Sequence, residues 1–323
     1  MKKVKSILKS PFFIVITFVL PLFITCEDSR QDIFPELDHD GPYIENSIYF
    51  GRGDYIEYHS GSLPIILSVP HGGWMDPTEI PNRTQGITEI DTNTYQLTKT
   101  IMDTLAARFG GKPHVILCLL KRLKLDVNRE ELEAAEGNIY GERAWAEYHH
   151  YLDIAKELVT ANHGSGIVFD IHGHGENPDG YYDLRTWLGY LIKGHELDFP
   201  DEELNTLDYK DKSSIRVLTD SSSHSFINIL RGETSLGTIM DSLGYECVPS
   251  VSAPGPAGSR YFSGGYITAR HGSSKEGIIS AIQIELPQPE IRDTEENWSR
   301  YAGAFATAVG RYYEFHLGRS IQP

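Results

Sequence analysis

Two histidines stand where an apolar run stops and glycine begins: His71 in LPIILSVPHGG (63–73) and His172 in GIVFDIHGHG (166–175). Neutral imidazole is the commonest protein ligand for zinc, and a catalytic zinc takes three protein ligands and keeps one position open for water. The pair therefore asks for a third donor, a carboxylate or another histidine. TEIDTNT (88–94) offers Glu89 and Asp91 just ahead of a predicted helix. The chemistry that such a set supports is hydrolysis, with a polarised carbonyl and an activated water.

Hydrolysis also needs a proton carrier and groups that hold the substrate. Glu285 lies inside the apolar run AIQIEL, where burial raises a carboxyl pKa toward the range in which it exchanges protons at neutral pH. Arg122, Asn128 and Arg129 flank Asp126 in KRLKLDVNRE, and an arginine fork suits a carboxylate, so Arg129 with Asn128 is expected to hold an acidic substrate group. Arg270, beyond the Gly264-Gly265 turn, is a second candidate anion contact.

The elements that must position these groups follow from periodicity. Ile65 to Val69 reads as a buried strand stopped by Pro70, so His71 falls just past a strand end, where open α/β sheets bind ligands. Gly72 and Gly73 then let the backbone approach a ligand closely. Leu97, Ile101, Leu105 and Phe109 make a helix ended by Gly110-Gly111; 114–120 is the next strand; a helix over about 142–162 leads to the His172 strand. This alternation predicts an α/β fold, a three-layer α/β/α domain with a mixed, largely parallel sheet. The acidic, aperiodic stretch 197–212 is expected to be a loop near the site mouth. Ser235 is expected to cap a helix to Leu243, and Asp293 with Glu296 to form the capping box of a last helix with Trp298, Tyr301, Phe305, Val309 and Tyr312 inward.

With 40% hydrophobic and 23% charged residues among 323, a disordered chain is excluded. Lys2, Lys3, Lys5 and Lys9 precede an apolar run from Phe12 to Ile24, 13 residues long, which is too short for a comfortable membrane span and suits an export signal. Cys26 closes it and resembles the lipidated cysteine of bacterial lipoproteins. The expected organisation is a signal over 1–25, a polar tether over 26–42 and one catalytic domain over 43–323, exported and lipid-anchored in a cell envelope. Removing residues 1–25 takes away four lysines and no acids, which moves the formal charge from −16 to −20. So acidic a chain has no footprint for nucleic acid or anionic headgroups, and membrane attachment would come only through lipid on Cys26. An exported setting allows Cys118 and Cys247 to pair.

VPHGG, the Asp of EIDTNT, RLKLDVNR, the Tyr-His of AEYHH, DIHGHG, and FSGGYITARHG followed by AIQIEL occur in the order seen in the N-formylglutamate amidohydrolase family, and the chain resembles it from about Ile65 to Leu286. That family is similar in fold to zinc carboxypeptidases and aspartoacylases. The resemblance implies one Zn(2+) per chain on His71, Asp91 and His172, with Glu89 as the alternate carboxylate. It implies Glu285 as the general base, with Arg122 beside it in the catalytic set, and Asn128, Arg129 and Arg270 as substrate contacts. The substrate implied is a small N-acyl amino acid or short peptide bearing a carboxylate. The rivals are an exported carboxypeptidase or a polyglutamate or cell-wall peptide hydrolase, and a lipid-anchored binding protein without turnover.

Overall fold

Runs of β-branched and apolar residues form four strands that lie side by side and parallel: β3 (Ile65–Val69), β4 (His114–Cys118), β5 (Ile167–His174) and β8 (Ser280–Pro287). Nearly every residue in them is buried, as a parallel sheet with helices on both faces requires. In the computed structural model the described residues are 33–177, 180–274 and 277–323. The export signal and Cys26 lie outside them. A compact unit runs from Glu36 to Pro323. Residues 36–42, expected in the tether, belong to it, and Asp40 accepts hydrogen bonds from Tyr43 and Tyr151.

The remaining strands are β1 (Ile48–Phe50), β2 (Ile56–His59), β6 (Thr186–Gly189) and β7 (Cys247–Val248), and the sheet order is β1-β2-β4-β3-β5-β8-β6-β7. β1–β2 is an antiparallel edge hairpin on the GRGD turn, and β6 runs antiparallel to β8. Cys118 in β4 and Cys247 in β7 are therefore far apart in the sheet, and both are buried free thiols.

One face packs on helices α1 (Thr94–Phe109) and α4 (Glu295–Leu317), through Leu97, Ile101, Tyr301 and Phe305; the other packs on α2 (Ile139–His163), through Tyr148 and Leu152. Leu67, Phe169 and Ile282 point to the first face, Ile66, Val168 and Ala281 to the second, so the chain alternates as a pleated strand must. On the α2 face the alternation turns polar toward the carboxyl ends: Ile66 gives way to Ser68, Val168 to Asp170 and His172, Ala281 to Gln283 and Glu285. α1 ends at Gly110 with φ +78, and Ser235 caps the helix Leu236–Ser242 by accepting from Thr238 N–H. α4 starts one residue later than its capping box suggests: Thr294 accepts from Asn297 N–H, and Asp293 accepts from the Asn297 side chain. The stretch 197–212 is not a loop. It carries short helices at Asp201–Leu204 and Leu207–Lys212, too short to leave a periodic signature.

Buried histidines make the fold sensitive to acid. His114 accepts from Gly61 N–H and hydrogen bonds to Tyr58, and burial with nearby His163 pushes its pKa down to about 4. His271 sits among His149, Lys156, Asp153 and Arg270, and burial, aided by Lys156 against Asp153, pushes it down to about 4. The unfolded chain takes up these protons near the ordinary histidine pKa and the folded chain does not, so stability is present above that value and is lost as pH falls toward the folded values. The loss reaches at most about 3 kcal/mol for each histidine. The urea midpoint is expected to fall clearly between about pH 7 and about pH 5; a flat midpoint would contradict this burial of neutral histidines.

Candidate metal centre and its cleft

The polar carboxyl ends of the four parallel strands converge on one point. His71 follows β3, Arg122 to Asn128 follow β4, and His172 near the end of β5 is paired in register with Glu285 of β8. Asp91 arrives on the loop before α1 and is tied to the first histidine by its own N–H to His71 O at 3.0 Å. Gly72 is required here, since a Cβ would stand 2.8 Å from Tyr95 N at the start of α1. Its close approach is to the protein's own helix, not to a ligand.

Both imidazoles are held the same way. His71 Nε2–H donates to Asp126 Oδ1 at 2.7 Å, and His172 Nε2–H donates to Asp170 Oδ2 at 2.9 Å. Each Nδ1 is then left facing Asp91 Oδ2, at 3.4 Å in both cases. His71 Nδ1 is buried and finds no hydrogen-bond partner among the described residues. Donors about 2 Å from a shared tetrahedral ion stand about 3.3 Å apart, so the spacing and the orphaned nitrogen fit a metal ion held by His71, Asp91 and His172. Histidine ligands backed by carboxylates are the usual outer shell of such sites. Of the two acids on the loop, Asp91 is buried between the imidazoles and Glu89 is exposed at the rim.

The charges ask for a cation. Burial raises the Asp91 pKa, but the adjoining His172 and His71 imidazoles outweigh it and hold the carboxyl well below its usual range. Burial likewise works against Asp126, and the neighbouring His71 and Arg122 pull it down. His172 is driven well above the ordinary imidazole value: burial opposes its charge, and Asp170 with Asp91 and Glu285 overrides burial. Glu285, buried with less compensation, is raised, which suits a group that exchanges protons. Gln283 Nε2–H donates to its Oε1 at 2.8 Å, and Oε2 has no hydrogen-bond partner among the described residues.

A cleft of about 800 Å³ opens beside these groups, and His71 lies behind its lining residues. Asp91, Arg122, Asn128, Arg129, His172 and Glu285 all border it. Arg122 is committed in part, with Nε on Asp126 Oδ2 at 3.0 Å. Arg129 pairs with Glu133 at 3.1 Å and remains a third exposed, so it can turn to a ligand. Asn128 is less free: its Oδ1 accepts from Ile267 N–H at 2.8 Å, joining the loop after β4 to helix α3 (Tyr266–His271). Arg270 is not brought to the cleft. It lies on α3 over the Trp145 ring, 3.8 Å from Asp153. No residue of 197–212 lines the cleft, so that stretch does not form its mouth.

Sequence reasoning missed several members of the site. Asp126 was read only beside its arginines, although it orients His71. Arg292 spends its guanidinium on the carbonyls of Leu286, Thr92 and His174, tying three cleft segments together. Arg260 borders the cleft over the Phe262 ring. Asp170, two residues before His172 in the sequence, shares its strand face and accepts its Nε2–H.

No protein-family model matches this chain, and no curated protein does. Among solved structures it is similar to N-formylglutamate amidohydrolase from Ralstonia eutropha JMP134, with 13% identity, TM-score 0.48, and 84% of this chain and 98% of that one covered. It is similar to the succinylglutamate desuccinylase from Chromobacterium violaceum, with 11% identity, TM-score 0.37, and coverage of 87% and 73%. A third is the catalytic domain of CwlV, an N-acetylmuramoyl-L-alanine amidase from Bacillus (Paenibacillus) polymyxa var. colistinus, with 12% identity, TM-score 0.33, and coverage of 78% and 98%.

Proposed function

We propose that this chain is a zinc-dependent hydrolase of a C–N amide bond in a carboxylate-bearing N-acyl amino acid or short peptide. The observation that carries the reading is the pair of imidazoles, each locked through Nε2 to a buried carboxylate, with both Nδ1 atoms 3.4 Å from one oxygen of Asp91. His71, Asp91 and His172 would hold the ion, which supplies Lewis-acid polarisation of the amide carbonyl and acidifies water. Glu285, through its free Oε2, takes the proton of the attacking water and returns it to the leaving nitrogen. Arg129, at the cleft wall, turns its fork to the substrate carboxylate and orients the amide.

The test is a panel of N-acyl amino acids and short peptides, each beside its carboxamide, incubated with the protein with and without a chelator. Hydrolysis of a carboxylate-bearing member that stops with the chelator and returns with zinc is the expected result. Turnover indifferent to chelator, or no turnover by a zinc-loaded protein, would count against it.

A further inference from the structure

The polar row on the α2 face continues behind the metal-binding residues. Ser68 Oγ–H donates to Asp170 Oδ1 at 2.8 Å, and Ser68 Oγ lies 2.7 Å from Tyr148 Oη. Ser68, Asp170 and Tyr148 have no solvent exposure. Because Asp170 as a carboxylate can only accept, the serine proton must go to it, and the tyrosine must donate to the serine. Each proton then has one place: Tyr148 to Ser68, Ser68 to Asp170 Oδ1, His172 Nε2 to Asp170 Oδ2.

We infer that Tyr148 and Ser68 are positioning residues for the metal centre, a buried hydroxyl relay that fixes the Asp170 carboxylate and, through it, the ring and tautomer of His172. Three different elements supply the chain: α2 gives Tyr148, β3 gives Ser68, and β5 gives both Asp170 and His172. β3 and β5 are paired so that Ser68 stands opposite Asp170. Without the relay Oδ1 would be a buried carboxylate oxygen with no donor, and the carboxylate would gain freedom to rotate away from His172. His71 needs no such relay, since Asp126 receives Arg122 Nε–H and Asn128 N–H as well. The two histidines are thus braced by different means: charge on one side, neutral hydroxyls on the other.

This inference rests on the zinc reading above, and the test separates the two. The zinc dissociation constant of the full chain is measured by competition with a chromophoric chelator for wild type, Ser68→Ala, Tyr148→Phe, Asp170→Asn and Tyr312→Phe. Tyr312 is a fully buried tyrosine whose hydroxyl has no partner among the described residues, and it serves as the control for loss of a buried phenol. Affinity is expected to fall roughly ten-fold in Ser68→Ala and about three-fold in Tyr148→Phe, with no change in Tyr312→Phe. The zinc-induced rise in Tm should shrink in the same order, whatever happens to the Tm of the metal-free protein. If Asp170→Asn weakens zinc while Ser68→Ala and Tyr148→Phe bind as the control does, the relay is overturned and the zinc reading stands. If wild type itself binds no zinc, both fall. Should Ser68→Ala fail to fold, Tyr148→Phe, which keeps the serine donor in place, still decides the matter.

Discussion

Replacing Glu285 with glutamine is expected to lower kcat by about 10²- to 10⁴-fold and leave the metal in place. Glu285 is 5% exposed, stands in register beside His172, and has Oε1 occupied by Gln283, so one oxygen is available for proton transfer. Glutamine keeps the shape and the hydrogen bond and loses only the ability to take a proton. The affected quantity should therefore be kcat, with KM for the hydrolysed amide changed little. Metal analysis of the variant is the necessary companion measurement. A Glu285→Gln protein with bound metal and wild-type kcat would remove Glu285 from the chemistry.

Asp126→Asn is expected to be nearly as damaging by a different route. Asp126 Oδ1 accepts the hydrogen bond of His71 Nε2–H, which leaves Nδ1 with its lone pair toward Asp91. An asparagine that turns its amide NH₂ to Nε2 would move the imidazole proton to Nδ1, the nitrogen needed for a metal, and Arg122 would lose its carboxylate partner. Metal affinity should drop by roughly 10- to 100-fold, and activity at limiting zinc should fall with it. Excess zinc should restore part of the activity, which it would not do for Glu285→Gln. Affinity equal to wild type would mean that Asp126 does not set the tautomer of His71.

Both predictions use partners that the sequence could not name. The strands were legible because their apolar runs end abruptly at Pro70 and at His172-Gly173, and the two histidines stood out for the same reason. α1 and α4 were legible from their long periodic stripes. The choice between Asp91 and Glu89 was not, because two acids two residues apart on an irregular loop look alike until Asp91 N–H is seen to bond His71 O. Partnerships across the sheet were hidden more deeply. Ser68 and Asp170 are 102 residues apart and His71 and Asp126 are 55 apart, and only the strand order β4-β3-β5-β8 makes them neighbours. Arginines could be counted but not aimed: α3 carries Arg270 to Asp153 and Trp145, while Arg260, ten residues earlier, borders the cleft.

Hydrolysis by the proposed route requires a metal ion held by His71, Asp91 and His172. The direct measurement is elemental analysis of the purified chain after exposure to zinc and removal of free ion, with His172→Ala treated identically. About one zinc per wild-type chain, absent from the folded variant, is the predicted result. A folded wild type that retains no metal, or a His172→Ala variant that retains it fully, would contradict the assignment of the centre.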